Sequence, residues 1–238
     1  MTLCESLRGN PYPGRGIVLG QSADGQNAVA AYFIMGRSEN SRNRVFEAVG
    51  DDLFTRPFDE SLVTDPSLII YAPVRTLSPA VTVVTNGDQT DTVAAYINEG
   101  KSFQDALRSR ECEPDAPHYT PRISGILFRA AQRKAFAYQL SLIKCEGGDP
   151  ARQCRFFYEY TPAPGRAHLI HTYQTDGEVL PNFAGEPVPV AIPDRDIHAF
   201  AEELWQSLDA DNRISLFVRY LPLDGGQAQT VILNRHKA

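Results

Sequence analysis

Residues 36–46 read GRSENSRNRVF and hold a dense set of groups able to bind an anion. Arg37, Arg42 and Arg44 lie within it, with Ser38, Asn40, Ser41 and Asn43 between them. A guanidinium presents a planar fork that matches phosphate or carboxylate oxygens, and hydroxyl and amide groups add neutral hydrogen bonds. Apolar runs flank the segment, Ala28 to Met35 before it and Val45 to Val49 after it. Two strands ending in such a loop would form one wall of a ligand site. The same composition also describes a solvated hairpin tip, because loops are polar by default. These residues alone leave both readings open.

The elements that must position this loop follow from pattern. Arg15 to Ser22 and Ala28 to Met35 read as strands, joined into a hairpin by Ala23-Asp-Gly-Gln-Asn27, with Gly25 suited to a left-handed turn position. A third strand runs from about Arg44 to Val49, and residues 50–67, with Pro57 and Pro66, read as connection. Leu68-Ile-Ile-Tyr71 marks a strand over Ser67 to Thr76, and Val81 to Thr85 marks another. In Asn86-Gly-Asp-Gln-Thr-Asp91, Gly87 permits a tight turn, and Asp88 with Asp91 predicts a capped helix start. Ser102 is a second cap, ahead of Phe103, Ala106 and Leu107. After a proline-broken loop from Glu111 to Pro121, Arg122 to Arg129 and Ala135 to Cys145 form a predicted hairpin. Arg152 to Thr161 and Ala167 to Thr175 form another around Pro162-Ala-Pro-Gly165, followed by a Pro- and Gly-rich crossing over residues 176–193. Ile197, Phe200, Ala201, Leu204, Trp205 and Leu208 share one face of a helix. Arg213 to Leu221 and Gln227 to Leu233 close the chain as a hairpin. This order of strands and helices predicts an α+β layered architecture in one domain spanning residues 1–238.

Composition narrows the function classes. The 238 residues suffice for a core that needs no disulfide or structural metal. A formal net charge of -6 argues against a broad nucleic-acid surface, which demands clustered positive charge. Of 23 basic residues only Lys101, Lys134, Lys144 and Lys237 are lysines, a bias that fits planar anion recognition or a GC-rich coding sequence equally. Cys4, Cys112, Cys145 and Cys154 form no paired metal-ligand spacing and predict free thiols. No stretch approaches the roughly 18 apolar residues of a membrane span, and MTLCESLRGNPYPGRG does not read as a signal peptide. A cytoplasmic location is the expectation, with no nucleic-acid or membrane partner.

Several stretches together resemble the archaeal-type IMP cyclohydrolase family. They are Ala31-Tyr-Phe-Ile with Arg37-Ser38 and Asn43-Arg44, then Leu68-Ile-Ile-Tyr71, Asn86-Gly-Asp-Gln-Thr-Asp91 and Tyr119-Thr-Pro-Arg-Ile123. Each motif is short; their order and spacing carry the likeness over roughly the first half of the chain. His171-Thr-Tyr173 through Leu180-Pro-Asn-Phe-Ala-Gly-Glu-Pro187 resembles bacterial IMP cyclohydrolase-like members.

The resemblance implies a four-layer αββα sandwich similar to that of N-terminal nucleophile hydrolases. It implies closure of 5-formamidoimidazole-4-carboxamide ribonucleotide to inosine monophosphate with loss of water, a purine nucleotide as the partner, and no cofactor or metal. The alternatives are a hydrolase or cyclase acting on another phosphorylated amide, and a non-catalytic purine nucleotide-binding protein. The family's pattern maps onto Arg37, Ser38, Asn43 and Arg44 as ligand contacts, Tyr71 as a donor to the formyl oxygen, Asn86 and Gly87 as a turn facing an anion, and Arg122 as a further contact. Glu113 is the carboxylate for proton transfer, and Tyr71, Glu113 and Arg37 form the candidate catalytic set. Each residue also has an ordinary structural reading: a sheet tyrosine, a helix cap, an arginine paired to a surface acid. His171 and Tyr173 would share one side of a strand and line the pocket or simply pack. Thr2 is not expected to act as an N-terminal nucleophile, because the lead-in places it away from such a site. Glu39 to Arg42 is an insertion relative to the family pattern, which makes Arg42 the weakest of the three loop arginines. Exposed sheet edges and the family's homo-oligomeric habit both allow self-association.

Overall fold

A computed structural model describes residues 1–63, 66, 70–130 and 135–236. A short helix α1 (Leu3–Leu7) leads into the hairpin β1 (Arg15–Gln21) and β2 (Asn27–Met35). Then come α2 (Glu39–Arg42), β3 (Arg44–Val49), β4 (Asp52–Pro57), β5 (Val74–Ser78) and β6 (Val81–Thr85). Helices α3 (Gln89–Asn98) and α4 (Phe103–Arg108) precede the long strands β7 (Arg122–Ala130), β8 (Ala135–Glu146) and β9 (Asp149–Tyr160). The chain continues through β10 (Arg166–His171), β11 (Val188–Ala191), α5 (Ile197–Ser207), β12 (Arg213–Pro222) and β13 (Gln229–Asn234).

Among the described residues the strands form two antiparallel sheets. One has six strands in the order β11-β10-β1-β2-β12-β13, and the other seven in the order β3-β4-β5-β6-β7-β8-β9. Alternate residues of each central strand enter different cores, as the two-residue side-chain period requires. On β2, Val29, Ala31, Phe33 and Met35 face α1 and α5, whereas Ala30, Tyr32 and Ile34 face the other sheet. On β6 and β7, Val84, Ile123 and Leu127 pack between the sheets, while Val83 and Ile126 meet α3 and α4. Burial on both faces explains why β2 reads as an unbroken apolar run. The layers are helix, sheet, sheet, helix: an α+β sandwich. Among the described residues no helix is long and apolar enough to cross a membrane.

The predicted α5 is present. Its Asp196 cap accepts from the backbone N–H of His198 and Ala199 at 2.9 and 3.0 Å. Ile197, Phe200, Ala201 and Leu204 are its buried stripe. Burying each large apolar side chain is worth about 1.5–3 kcal/mol. The solvent-accessible pair between Arg195, just before the helix, and Glu203 on it belongs to a class worth about 0–1 kcal/mol, so the stripe docks the helix.

Other expectations need correction. The arginine loop is not a hairpin tip. β2 has β1 on one edge and β12 on the other, so the chain after it must leave the sheet, and β3 begins the second sheet. For the same reason β9 and β10 are not a hairpin: β10 lies between β1 and β11, and the Pro162–Gly165 turn carries the chain across from the seven-stranded sheet. The stretch 50–67, read as connection, contains β4, turned back on β3 through Gly50 at φ 61°. The crossing over 176–193 contains β11. Of the strand expected over Ser67 to Thr76, Ser67, Leu68 and Ile69 lie outside the described residues. Tyr71 is not in a strand. Its N–H donates to Thr55 Oγ1 at 2.8 Å and Pro73 follows, so the ladder starts at Val74.

Asp88 makes no side-chain cap on α3. Arg110 and Arg122 take its carboxylate instead, and Arg75 takes that of Asp91 at 3.0 Å. Ser102 caps α4 as expected, accepting from Asp105 N at 3.0 Å. Cys112 and Cys145 are joined in a disulfide, and Cys4 and Cys154 are free. The two half-cystines lie 33 residues apart, so no local spacing announces the pair. The β7–β8 hairpin, with Arg122 opposite Ile143, folds the end of β8 back beside the loop that precedes β7.

Candidate active site

Five segments from different layers meet at one end of the sandwich around a cavity of about 530 Å³. The lead-in contributes Tyr12 and Gly14, and the first residue of β1 contributes Arg15. The end of β2 and the arginine loop add Met35, Arg37, Ser38, Ser41 and Arg44. The loop before β7 adds Glu113, Asp115, His118 and Thr120, and the segment after β10 adds Tyr173 and Leu180.

Gly14 shows why the lead-in can come this close. Its φ is 77°, and a Cβ there would sit 2.2 Å from Thr172 Oγ1 and 2.6 Å from Tyr173 Cδ2. Any side chain would close the gap between the lead-in and the Tyr173 segment. With glycine in place, Tyr12 stacks on Tyr173 with ring centroids 5.9 Å apart.

Three arginines reach the cavity, each in a different electrostatic state. Arg15 donates from Nη2 to Glu113 Oε2 at 3.0 Å and from Nη1 to the Asn86 carbonyl at 3.2 Å. Burial disfavours its charge, but Glu113 and the surrounding tyrosines outweigh that and raise its pKa well above the ordinary value. Burial also raises the Glu113 carboxyl, against the pull of Arg15 and Arg122. Arg37 is partly exposed, pairs with Asp176, donates to the Gly177 carbonyl at 2.8 Å, and lies 5.0 Å from the Tyr12 ring centroid.

Arg44 differs from both. It is 3% exposed, and its guanidinium donates to the Ser41 carbonyl at 2.8 Å and the Met35 carbonyl at 3.2 Å. Among the described residues no carboxylate pairs with it. Burial is the leading cause that pushes its pKa below the usual arginine value, and Arg15 adds to it. A buried cation held by neutral carbonyls alone costs the fold several kcal/mol, and an incoming anion would remove that cost.

Tyr71 stands next to the arginines. Its hydroxyl lies 2.7 Å from that of Tyr32, and both tyrosines interact electrostatically with Arg15 and Arg44. Ser38 lines the cavity and accepts from Ser41 N at 3.2 Å. His118 accepts from Leu180 N through Nδ1 at 3.3 Å, which leaves Nε2 as the protonated nitrogen of the neutral ring. Among the described residues no group of three His, Cys, Asp or Glu converges as a metal site.

Residues 12–225 match the family described as IMP cyclohydrolase-like protein, a span that includes every residue lining the cavity. The chain belongs to this family. An IMP cyclohydrolase of Methanopyrus kandleri (strain AV19) is 33% identical over 116 residues, covering 48% of this chain and 57% of that protein. The chain therefore matches little more than half the length of that curated relative.

The IMP cyclohydrolase-like fold brings four of the sequence-derived candidates to the cavity wall: Arg37, Ser38, Arg44 and Glu113. Asn86 stands behind them as a brace. Its side chain bonds the Pro121 carbonyl at 2.9 Å and the Ile123 N–H at 2.9 Å, while its own carbonyl holds Arg15. Gly87 leaves room for its neighbours, since a Cβ there would lie 2.7 Å from Gln89 Oε1 and 2.9 Å from Arg122 Nη1. Arg122 turns away to Asp88, Gln89 and the Glu111 carbonyl. Asn43 turns away as well, its amide exchanging two hydrogen bonds with the Asp59 backbone at 2.7 and 2.8 Å. Arg42 points to the Gly36 carbonyl and Asn212. Tyr173 lines the cavity, whereas His171 bonds the Tyr173 carbonyl at 2.7 Å and packs edge-on to Phe183, its pKa lowered by burial to about 4. Thr2 caps α1 and bridges to Ala191 in β11, on the outer helical side.

Sequence reasoning missed Tyr12, Arg15, Asp115, His118 and Thr120 as site residues. The close-approach glycine in Pro13-Gly14-Arg15 was a usable signal for the first two. The other three lie in a loop whose prolines announced irregular backbone but not its direction.

Proposed function

We propose that this chain closes 5-formamidoimidazole-4-carboxamide ribonucleotide to inosine monophosphate, releasing water, with residues 1–238 acting as one catalytic domain. The observation that carries this reading, beyond family membership, is Arg44: a buried guanidinium on the cavity wall with no carboxylate beside it among the described residues. A 5′-phosphate supplies the missing charge. Arg37 and Ser38 close over the same phosphate from the arginine loop.

Ring closure needs little from the protein besides position and proton handling. The carboxamide nitrogen must reach the formyl carbon, and holding both arms together supplies much of the rate. Tyr71 acts on the formyl oxygen. When Tyr32 donates to Tyr71, the Tyr71 proton is left for the substrate, and Arg15 and Arg44 favour the charge that develops there. Glu113, raised by burial and hydrogen-bonded to Arg15 through Oε2, keeps Oε1 for proton exchange with the departing oxygen.

The test is direct. Purified protein incubated with the formamido nucleotide should yield the ultraviolet absorbance of inosine monophosphate, without added metal. Tight inosine monophosphate binding without turnover would replace the enzyme by a nucleotide-binding protein; neither binding nor turnover would point to a different substrate.

A further inference from the structure

We propose that Tyr173, Thr120 and Asp115 form a proton relay that accepts the proton lost by the carboxamide nitrogen as the ring closes. The proposal rests on the ring-closure reading above and assigns the base that this reading leaves open.

The three groups form one chain. Thr120 Oγ1 lies within hydrogen-bond reach of both Asp115 Oδ2 and the Tyr173 hydroxyl. The other oxygen of Asp115 accepts from Thr120 N at 2.7 Å, which fixes the carboxylate against the loop. The direction of the chain follows from donor counting. An ionised carboxylate only accepts, and a hydroxyl has one proton to give. Thr120 therefore donates to Asp115, and Tyr173 donates to Thr120. The phenolic oxygen is left with lone pairs, not a proton, for whatever fills the cavity. An amide N–H completes this chain; a phosphate or formyl oxygen does not.

The chain is held in place before any ligand arrives. Glu113 N donates to the Thr120 carbonyl at 2.9 Å, and His118 N and Tyr119 N donate to the Asp115 carbonyl at 3.0 and 3.1 Å. Tyr173 is fixed by its stack on Tyr12 and by its N–H on the Pro13 carbonyl at 3.2 Å. Arg15 and Glu113 lie close enough to Tyr173 to act on it electrostatically, so the relay and the salt bridge share one site.

The step balances. As the nitrogen–carbon bond forms, the carboxamide N–H proton passes to the Tyr173 oxygen, the Tyr173 proton to Thr120, and the Thr120 proton to Asp115, which becomes a neutral carboxyl. Tyr173 is never left as a phenolate, a state that its burial opposes. The formyl oxygen leaves as water with two protons. One returns from Asp115 along the same chain, and the other passes from the formamido nitrogen by way of Glu113 Oε1. No oxidant, reductant or metal takes part.

The test compares Tyr173→Phe, Thr120→Val and Thr120→Ser with the wild type, using the formamido nucleotide for turnover and inosine monophosphate for binding. Tyr173→Phe and Thr120→Val should each lower kcat by roughly a hundredfold or more, with inosine monophosphate affinity held within about threefold. Thr120→Ser, which keeps the hydroxyl, should recover most of the rate. In mixtures of light and heavy water the wild-type rate should fall along a curve, as several protons move together, and Thr120→Val should give a straight line. Near wild-type turnover by Tyr173→Phe, or loss of rate matched by equal loss of affinity, would overturn the relay while leaving ring closure standing. No turnover by the wild type would overturn ring closure and the relay with it.

Discussion

Arg44 and Arg15 sit in one cavity and differ in what completes them. Arg15 has Glu113 at 3.0 Å, while among the described residues Arg44 has two backbone carbonyls and no carboxylate. A guanidinium–phosphate contact is a charge-assisted bond, worth about 1.5–3 kcal/mol. Arg44→Met should therefore weaken inosine monophosphate binding by roughly tenfold to a hundredfold. The same substitution removes a buried unpaired charge, so the melting temperature should stay level or rise, a gain in stability at the expense of the site. Titration calorimetry and thermal unfolding on one preparation check both. Unchanged affinity would take Arg44 out of the phosphate contact. At this scale the sequence was informative about residue type and less so about direction. The cluster of Arg, Ser and Asn in residues 36–46 was visible, yet Arg42, Asn43 and Arg44 diverge to Asn212, Asp59 and the cavity. Adjacent residues in an irregular segment point different ways, and only tertiary contacts decide which one reaches a ligand.

The elements were legible where their pattern is local. β1, β2, β6, β7, β8, β12, β13 and α5 each carry an apolar run or stripe that identifies them without a partner. What joins to what is not local. The Pro162–Gly165 turn looked like a hairpin turn, and only the occupied edges of β10 show that the chain had to change sheets. The arginine loop makes the same kind of crossing and needs bracing at its far end, which Asn43 supplies by fastening the start of β3 to Asp59. Loss of that amide removes two part-buried hydrogen bonds, each worth about 0.5–1.5 kcal/mol. Asn43→Ala should therefore lower the melting temperature by roughly 2–4 °C for each kcal/mol lost, with inosine monophosphate affinity unchanged. A variant that melts normally and binds weakly would instead make Asn43 a ligand contact.

On the scale of the whole molecule, the cavity joins the two sheets. Arg15 opens β1 in the six-stranded sheet and Arg44 opens β3 in the seven-stranded one. The sheets already share an apolar core, but at this end they meet through charged side chains and loops. A nucleotide that satisfies Arg44 from one sheet while contacting groups anchored to the other ties both layers together, so its binding should be felt as global stability. Any ligand that binds only the folded state adds about 2.7 kcal/mol at a concentration of 100 times Kd. For a chain of this size that corresponds to a rise in melting temperature of roughly 5–10 °C. Inosine monophosphate should produce this shift and inosine, which lacks the phosphate, only a small part of it. Arg44→Met should reduce the nucleotide's effect towards that of the nucleoside. Equal shifts from inosine and inosine monophosphate would mean that the arginines do not hold the phosphate, and the cavity would then have to recognise the base and ribose through its hydroxyl and aromatic wall at Tyr12, Thr120 and Tyr173.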